Sequence, residues 1–154
     1  MKKLLILLPL LFLFACQNFE RAFQTHTDIQ AGDAAKLVQK AELTSAEQTI
    51  VAHASNKYSE FVENWKEKNF LENYTEFDKD FLEIKSQYLL VKAIVRKHWL
   101  EYSPEDKATL ANYEDSAGEL EKLHSGLVKA HMLKEAGAVA FKYGLMAAKI
   151  AGKL

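Results

Sequence analysis

Cysteine, proline and glycine are scarce in this chain of 154 residues, which has one cysteine, two prolines and six glycines. A single cysteine cannot form a disulfide within the chain, so a small disulfide-stapled fold is excluded. Few prolines and glycines leave few tight turns, and no alternating pattern typical of a β-strand lasts more than a few residues. Helix-forming residues (Ala, Leu, Lys and Glu) dominate instead, and they predict an all-α protein.

Charge and motifs exclude further classes of protein. The chain has 20 basic residues (Lys and Arg) against 21 acidic ones. It therefore lacks the excess of basic residues that is typical of a nucleic-acid-binding protein. It has no Gly-x-Ser-x-Gly motif, no phosphate-binding glycine loop and no Cys-x-x-Cys-His motif. We therefore expect no nucleic-acid partner, no catalytic activity and no bound cofactor.

Histidines are the remaining candidates for a site. Glu121 and His124 form one Glu-x-x-His motif, whereas a bundle that binds two metal ions uses two such motifs, so we expect no metal. His98, His124 and His131 lie on or near apolar stripes, which is typical of hydrogen-bonded histidines in or near a core. Haem or zinc binding is the alternative. Half-buried histidines would also make stability depend on pH.

The longest apolar run lies at the start of the chain, from Leu4 to Phe14, directly after Lys2 and Lys3. Two lysines followed by about 11 apolar residues have the layout of a secretory signal, whose apolar region is about 7–15 residues long. A transmembrane helix needs about 20 such residues. We therefore expect an exported chain rather than one that spans the membrane.

The sole cysteine follows this run, in the sequence Leu13-Phe14-Ala15-Cys16. This sequence resembles the lipobox of bacterial lipoproteins, with leucine at −3, a small residue at −1 and cysteine at +1. The resemblance implies cleavage before Cys16, a diacylglycerol on its thiol and acylation of the new amino terminus. Phe14 departs from the family pattern, in which position −2 is more often small. Lipidation also accounts for an unpaired cysteine in an exported protein.

The resemblance gives the organisation and location that we expect. Residues 1–15 would be the cleaved signal, residues 16–43 a lipidated tether with one short helix, and residues 44–154 a helical domain. Without the signal the chain has 18 basic and 21 acidic residues, a net charge of −3. Gln17 stands where inner-membrane lipoproteins of enterobacteria have aspartate. The periplasmic face of the outer membrane is therefore favoured over the inner membrane.

Two capping patterns mark where helices begin. Thr44 and Glu47 form a capping box before a helix of residues 45–70, and Asn73 and Glu76 predict a second box before the next helix. The apolar stripe of that next helix spans more than one face. We therefore expect it to be the most buried helix.

The last third of the chain leaves two arrangements open. Ser103 and Pro104 suit the N-cap and the first position of a further helix, within which Ser125 and Gly126 either turn the chain or only bend it. A turn gives four helices of similar length, and a bend gives one long helix beside two shorter ones. We favour the turn. Both arrangements are all-α antiparallel bundles of three to four helices.

Small residues recur at every fourth position near the C-terminus and form one smooth stripe on a helix face. Such a stripe permits close helix–helix approach, so we expect it to pack inside the bundle. Self-association of two copies and shallow membrane contact are the alternatives. Lys142 and Lys149 argue against a membrane span. The stripe consists of Ala136, Ala140, Gly144, Ala148 and Gly152.

These features predict a lipid-anchored protein of the cell envelope with an interaction or structural role. Its partners would be membrane lipid, through acylated Cys16, and another envelope protein. Small phage and plasmid lipoproteins that exclude competitors share this layout of leader, lipobox and small domain, which makes exclusion an alternative role.

Two further alternatives come from the helical domain. The helix openings LTSAEQ and YSPEDKATL faintly resemble the Leu-Thr-x-x-Gln openings of all-helical periplasmic stress chaperones and sensors, but they lack the expected glutamine. Trp65, Trp99 and the tyrosines form stripes at helical spacing, which are usually part of a core. The alternative is that they line a groove of a bundle that binds haem, a metal ion or a hydrophobic molecule.

Overall fold

The computed structural model describes residue 21 and residues 31–150 of the chain. Four α-helices follow one another in this part: α1 (Ala31–Val38), α2 (Ser45–Trp65), α3 (Tyr74–Lys97) and α4 (Pro104–Ile150). A short 3-10 helix, Trp99–Glu101, joins α3 to α4, and the described residues contain no β-strand. The predicted all-α class is confirmed.

Local sequence explains where α2 and α4 begin. The Thr44 hydroxyl accepts from the Glu47 backbone N–H at 3.3 Å, and the Glu47 carboxylate accepts from the Thr44 backbone N–H at 2.9 Å. The Ser103 hydroxyl likewise accepts from the Asp106 backbone N–H at 3.1 Å. Pro104 then takes the first helical position, where the N–H that proline lacks would have no partner within the helix. Both predicted starts are confirmed.

The start of α3 differs from the prediction. Asn73 precedes the helix, but its side chain makes no capping hydrogen bond. It donates instead to the Asn69 carbonyl at 3.0 Å. The Asn69 side chain in turn accepts from the backbone N–H groups of Leu71 and Glu72 at 3.0 and 3.2 Å. The predicted capping box between Asn73 and Glu76 is therefore wrong, because the preceding loop binds the Asn73 side chain.

Aromatic side chains fill the core where α2 ends and α3 begins. Trp65 and Phe77 are fully buried, and their rings meet edge to face with centroids 5.0 Å apart. Helix α2 ends at Trp65 rather than at the predicted residue 70. The loop after it folds back, and Phe70 stacks on Trp65 with ring centroids 6.0 Å apart. The Trp65 indole N–H donates to the Asp80 carboxylate at 2.9 Å. The largest buried side chain therefore has its polar atom satisfied.

A second core cluster lies at the other end of the hairpin that α2 and α3 form. Residues 37–43, which the sequence predicted to be part of the tether, contribute side chains to this cluster. The Tyr102 hydroxyl donates to the Val38 carbonyl at 2.8 Å and fixes the end of α1. Packing against the helices thus begins before residue 44. The buried members are Leu37, Val38, Ala41, Leu43, Val51, Ile94, Tyr102 and Leu110.

Helix α3 is not the most buried helix, contrary to the prediction. Its buried residues are Phe77, Phe81 and Ile94, whereas the shorter α2 has four buried residues. Leu82 and Leu89, which widen the apolar stripe of α3, are each 51% exposed. The stripe is wider than the surface that the neighbouring helices cover.

Helix α4 continues through Ser125 and Gly126 without a turn and is 47 residues long. The favoured turn at these residues is therefore wrong, and the alternative with one long helix is confirmed. A single glycine within a helix costs only about 1 kcal/mol relative to alanine, which the surrounding helix formers offset. Leu127 is the last buried residue of α4 among the side chains that the structure describes. The second half of α4 consequently extends beyond the core.

We predict that Phe77→Ala lowers the free energy of unfolding by about 3–5 kcal/mol, since it empties a fully buried site. Phe141→Ala is the matched control, because Phe141 is 68% exposed. Its effect should stay within about 0.5 kcal/mol. Urea denaturation followed by circular dichroism measures both, and equal losses would contradict the placement of the core.

Candidate functional site

Charged side chains converge where α3 ends and α2 begins, in a set that we call the polar junction (Glu47, Lys97, His98 and Glu101). His98 is 8% exposed, with Nδ1 2.7 Å from Glu101 and Nε2 3.2 Å from Glu47. Lys97 donates to Glu47 at 2.7 Å. Glu101 also accepts from the backbone N–H of Glu42, just after α1, at 2.8 Å. The polar junction therefore connects the ends of three helices.

The two carboxylates favour the charged form of the His98 ring. The hydrogen bond with Glu101 is the main cause that raises the pKa of His98 above its ordinary value. The hydrogen bond from Lys97 is the main cause that lowers the pKa of Glu47 to about 2. The backbone N–H of Glu42 chiefly lowers the pKa of Glu101. When charged, His98 donates from both ring nitrogens, and neither then has a lone pair for a metal ion.

The other two histidines that the sequence singled out lie elsewhere in the structure. His124 Nε2 is 2.7 Å from Asp78, and the His124 ring stacks on Phe81 with centroids 4.2 Å apart. His131 stacks on Tyr74 at 3.9 Å, and its Nδ1 is buried without a hydrogen-bond partner. Within the described residues, no group of three or more His, Cys, Asp or Glu side chains could hold a metal ion.

An apolar cavity of about 180 Å³ lies between α4 and the hairpin of α2 and α3. Three tyrosines line it, one from each helix: Tyr58, Tyr88 and Tyr113. Burial raises the pKa of Tyr58 and of Tyr88 to about 12, so both phenols stay neutral well above neutral pH. Lys92 and Glu114, which form an ion pair, also belong to its wall. Apolar walls with a few polar groups are typical of a small-molecule site.

The cavity differs from the ligand groove that was the alternative to a core position for the aromatic residues. The tyrosines come together there, but Trp65 is buried in the aromatic core and Trp99 is 38% exposed on the 3-10 helix. Neither tryptophan lines the cavity. No sequence pattern predicts the cavity, because its existence depends on how far α4 stands from the hairpin.

The described part of the small-residue stripe is not packed inside the bundle, contrary to the favoured expectation. Ala136 and Ala140 are exposed. Gly144 and Ala148 lie within α4, but their exposure is not described, and Gly152 lies outside the described residues. Within residues 31–150, no helix is both long enough and apolar enough to cross a membrane. The exposed large apolar side chains of this segment are Met132, Leu133, Val139, Phe141, Tyr143, Leu145 and Met146.

Cys16, the predicted lipidation residue, lies outside the described residues. No family model, curated protein or solved structure matches the chain. These comparisons therefore indicate neither an activity nor a partner for this chain.

We predict that the polar junction makes the protein less stable as the pH rises. The folded-state pKa of His98 is raised above its unfolded value of 6.5. Its stabilising contribution is therefore complete below the unfolded value and is lost as the pH rises through the folded value. The urea midpoint should fall between about pH 6 and about pH 9.

Substitution of His98 isolates this effect. His98→Gln should remove most of the decrease, because glutamine does not titrate. His53→Gln, at an exposed position of α2, is the control and should leave the decrease intact. A native urea midpoint that stays level or rises over this interval would contradict the charged state that we assign to His98.

Proposed function

We propose that this chain is a lipid-anchored protein of the bacterial cell envelope whose helical body has an interaction or structural role. The sequence Leu13-Phe14-Ala15-Cys16, placed after a basic and apolar leader, is the observation that carries the proposal. Each buried acyl methylene contributes about 0.8 kcal/mol, so two or three chains on Cys16 hold a protein durably. Gln17 favours the periplasmic face of the outer membrane.

Exposed leucines support the interaction role. Leu82 and Leu89 lie seven residues apart, and therefore on one face of α3, and each is 51% exposed. Leu90 beside them is 46% exposed, and Leu100 on the 3-10 helix is 91% exposed. Grouped apolar side chains at a surface are typical of a protein contact. We propose another envelope protein as the partner of this surface.

The arrangement of acid and base groups supports a role without catalysis. Glu47, His98 and Glu101 are bound to one another. None of the three lines the cavity, where a small molecule would bind. These groups therefore suit the joining of helix ends better than proton transfer to a substrate.

The cavity favours a second candidate function, the binding of a small hydrophobic molecule. Its volume of about 180 Å³ exceeds that of an engineered protein cavity of roughly 150 Å³ that binds benzene. The Lys92 ammonium and the tyrosine hydroxyls would orient a polar group of such a ligand. The lipid anchor would hold this binding site close to a membrane.

The anchor is tested by expression of the full chain with its leader in a bacterium. We predict that the native product is found in the membrane fraction, with its leader removed and with acyl groups that intact-mass analysis detects. Cys16→Ser should lose both the acyl mass and the cleavage, since the serine hydroxyl does not replace the thiol. Gln17→Ala, which keeps the cysteine, is the control. A native product with a free thiol or an uncut leader would contradict the proposal.

The cavity is tested with the uncharged fluorescent probe N-phenyl-1-naphthylamine. Ala117→Leu places a larger side chain on the cavity wall, and Ala111→Leu makes the same change at an exposed position of α4. We predict that Ala117→Leu weakens the affinity for the probe about tenfold, equivalent to about 1.4 kcal/mol, and that Ala111→Leu does not. Equal affinities in the two variants would count against a binding site in the cavity.

A further inference from the structure

The second half of α4 extends well beyond the helical body. From Leu127, the last buried residue described, the helix continues for about 35 Å to Ile150 at a rise of about 1.5 Å per residue. Seven large apolar side chains along this extension are 41–68% exposed. The apolar surface described as uncovered runs from Met132 to Met146, and it calls for a partner outside the described chain.

The charge of the helix changes sign along its length. Residues 104–127 include six acidic residues and two lysines, a net charge of −4. Residues 128–150 include four lysines and one glutamate, a net charge of +3. The exposed apolar side chains and the positive charge therefore coincide in the same segment.

The exposed apolar side chains lie on two opposite sides of the extension rather than along one seam. Residues two apart in an α-helix project about 200° apart, so Val139 and Phe141 lie on opposite sides. Tyr143 and Leu145 repeat this arrangement about one turn later. All four are at least 41% exposed. Contact with one helix of a second copy would cover one side and leave the other in water.

Segment length points to a membrane surface. An apolar stretch of about 10–14 residues is typical of a buried core helix or of an interfacial segment. Residues 136–148 form such a stretch, with Lys142 as their only charged residue. The exposure of the described side chains rules out the core alternative. A bilayer surface would cover both apolar sides of the helix, while lysine side chains extend to the lipid phosphates.

We propose that residues 132–146 of α4 lie as an interfacial helix on the surface of a membrane that contains anionic lipids. The positive charge of the extension complements the headgroups, and its apolar side chains enter the acyl boundary. The inference rests on the proposed function for the location of that membrane, because the acyl groups on Cys16 would hold α4 beside it.

Tryptophan fluorescence in the full-length protein, reconstituted into vesicles, tests this placement. Phe141→Trp puts a reporter in the extension, and Leu100→Trp puts one at a 91% exposed position of the body. The native protein gives the background from Trp65 and Trp99. With phosphatidylglycerol and brominated phosphatidylcholine, the Phe141→Trp emission should shift to shorter wavelength and lose most of its intensity. The Leu100→Trp emission should keep its intensity.

Three comparisons decide the outcome. Phe141→Trp emission that shifts to shorter wavelength but is not quenched would overturn the proposal in favour of a second copy of the chain. Equal quenching of the two reporters would overturn the assignment to the extension. Quenching should weaken in vesicles of phosphatidylcholine alone and in Phe141→Trp combined with Lys142→Glu. Unchanged quenching in both would overturn the requirement for anionic lipid.

Intact-mass analysis of the same samples separates this inference from the proposed function. An unquenched Phe141→Trp reporter in a fully acylated protein overturns the placement of the helix and leaves the anchor standing. Quenching in a protein without acyl groups supports the placement and overturns the anchor.

Discussion

The carboxylate of Glu47 joins the start of α2 to the end of α3, at the junction beside which α4 also begins. It accepts from the Thr44 backbone N–H at the start of α2, and it is 2.7 Å from Lys97 and 3.2 Å from His98 at the end of α3. Helix ends have backbone groups without partners in the helix, so they need polar neighbours when they come together in a core. A salt bridge of Lys40 with Asp106, 2.6 Å long, brings the start of α4 to the same place.

The geometry of the extension follows from the fixed start of α4 and from helix length. Because α4 begins beside the polar junction, its first half lies along the hairpin of α2 and α3. These two helices have 21 and 24 residues, whereas α4 has 47. At about 1.5 Å per residue, α4 is roughly twice as long as either of them. His131 still stacks on Tyr74 at the start of α3. Beyond His131, α4 therefore has no helix of the hairpin beside it, whatever its own sequence.

Sequence patterns predicted the features that a few neighbouring residues decide. The caps at Thr44 and Ser103 were predicted correctly, because a capping hydrogen bond joins residues only three positions apart. The predicted capping box at Asn73 was wrong, because the Asn73 side chain binds the nearby carbonyl of Asn69. The predicted turn at residues 125 and 126 was wrong, because the surrounding helix-forming residues offset the free-energy cost of one glycine within a helix.

The contacts of the candidate sites depend on tertiary structure and were not predicted. His98 was correctly singled out by its apolar surroundings, but its partner Glu47 is 51 residues away in the chain. The small-residue stripe is a true feature of the sequence, yet Ala136 and Ala140 are exposed because the hairpin ends before it reaches them. A sequence pattern gives the composition of a helix face but not which neighbour covers it.

Hydrogen–deuterium exchange of the full-length protein tests most directly whether a closed helical body and an uncovered extension coexist in one chain. Amides of α2 and α3 should be equally protected with and without anionic vesicles, because the polar junction and the aromatic core do not depend on lipid. Amides of residues 132–146 should gain protection only when vesicles are present. Equal protection of these amides without vesicles, or no gain with them, would contradict the account.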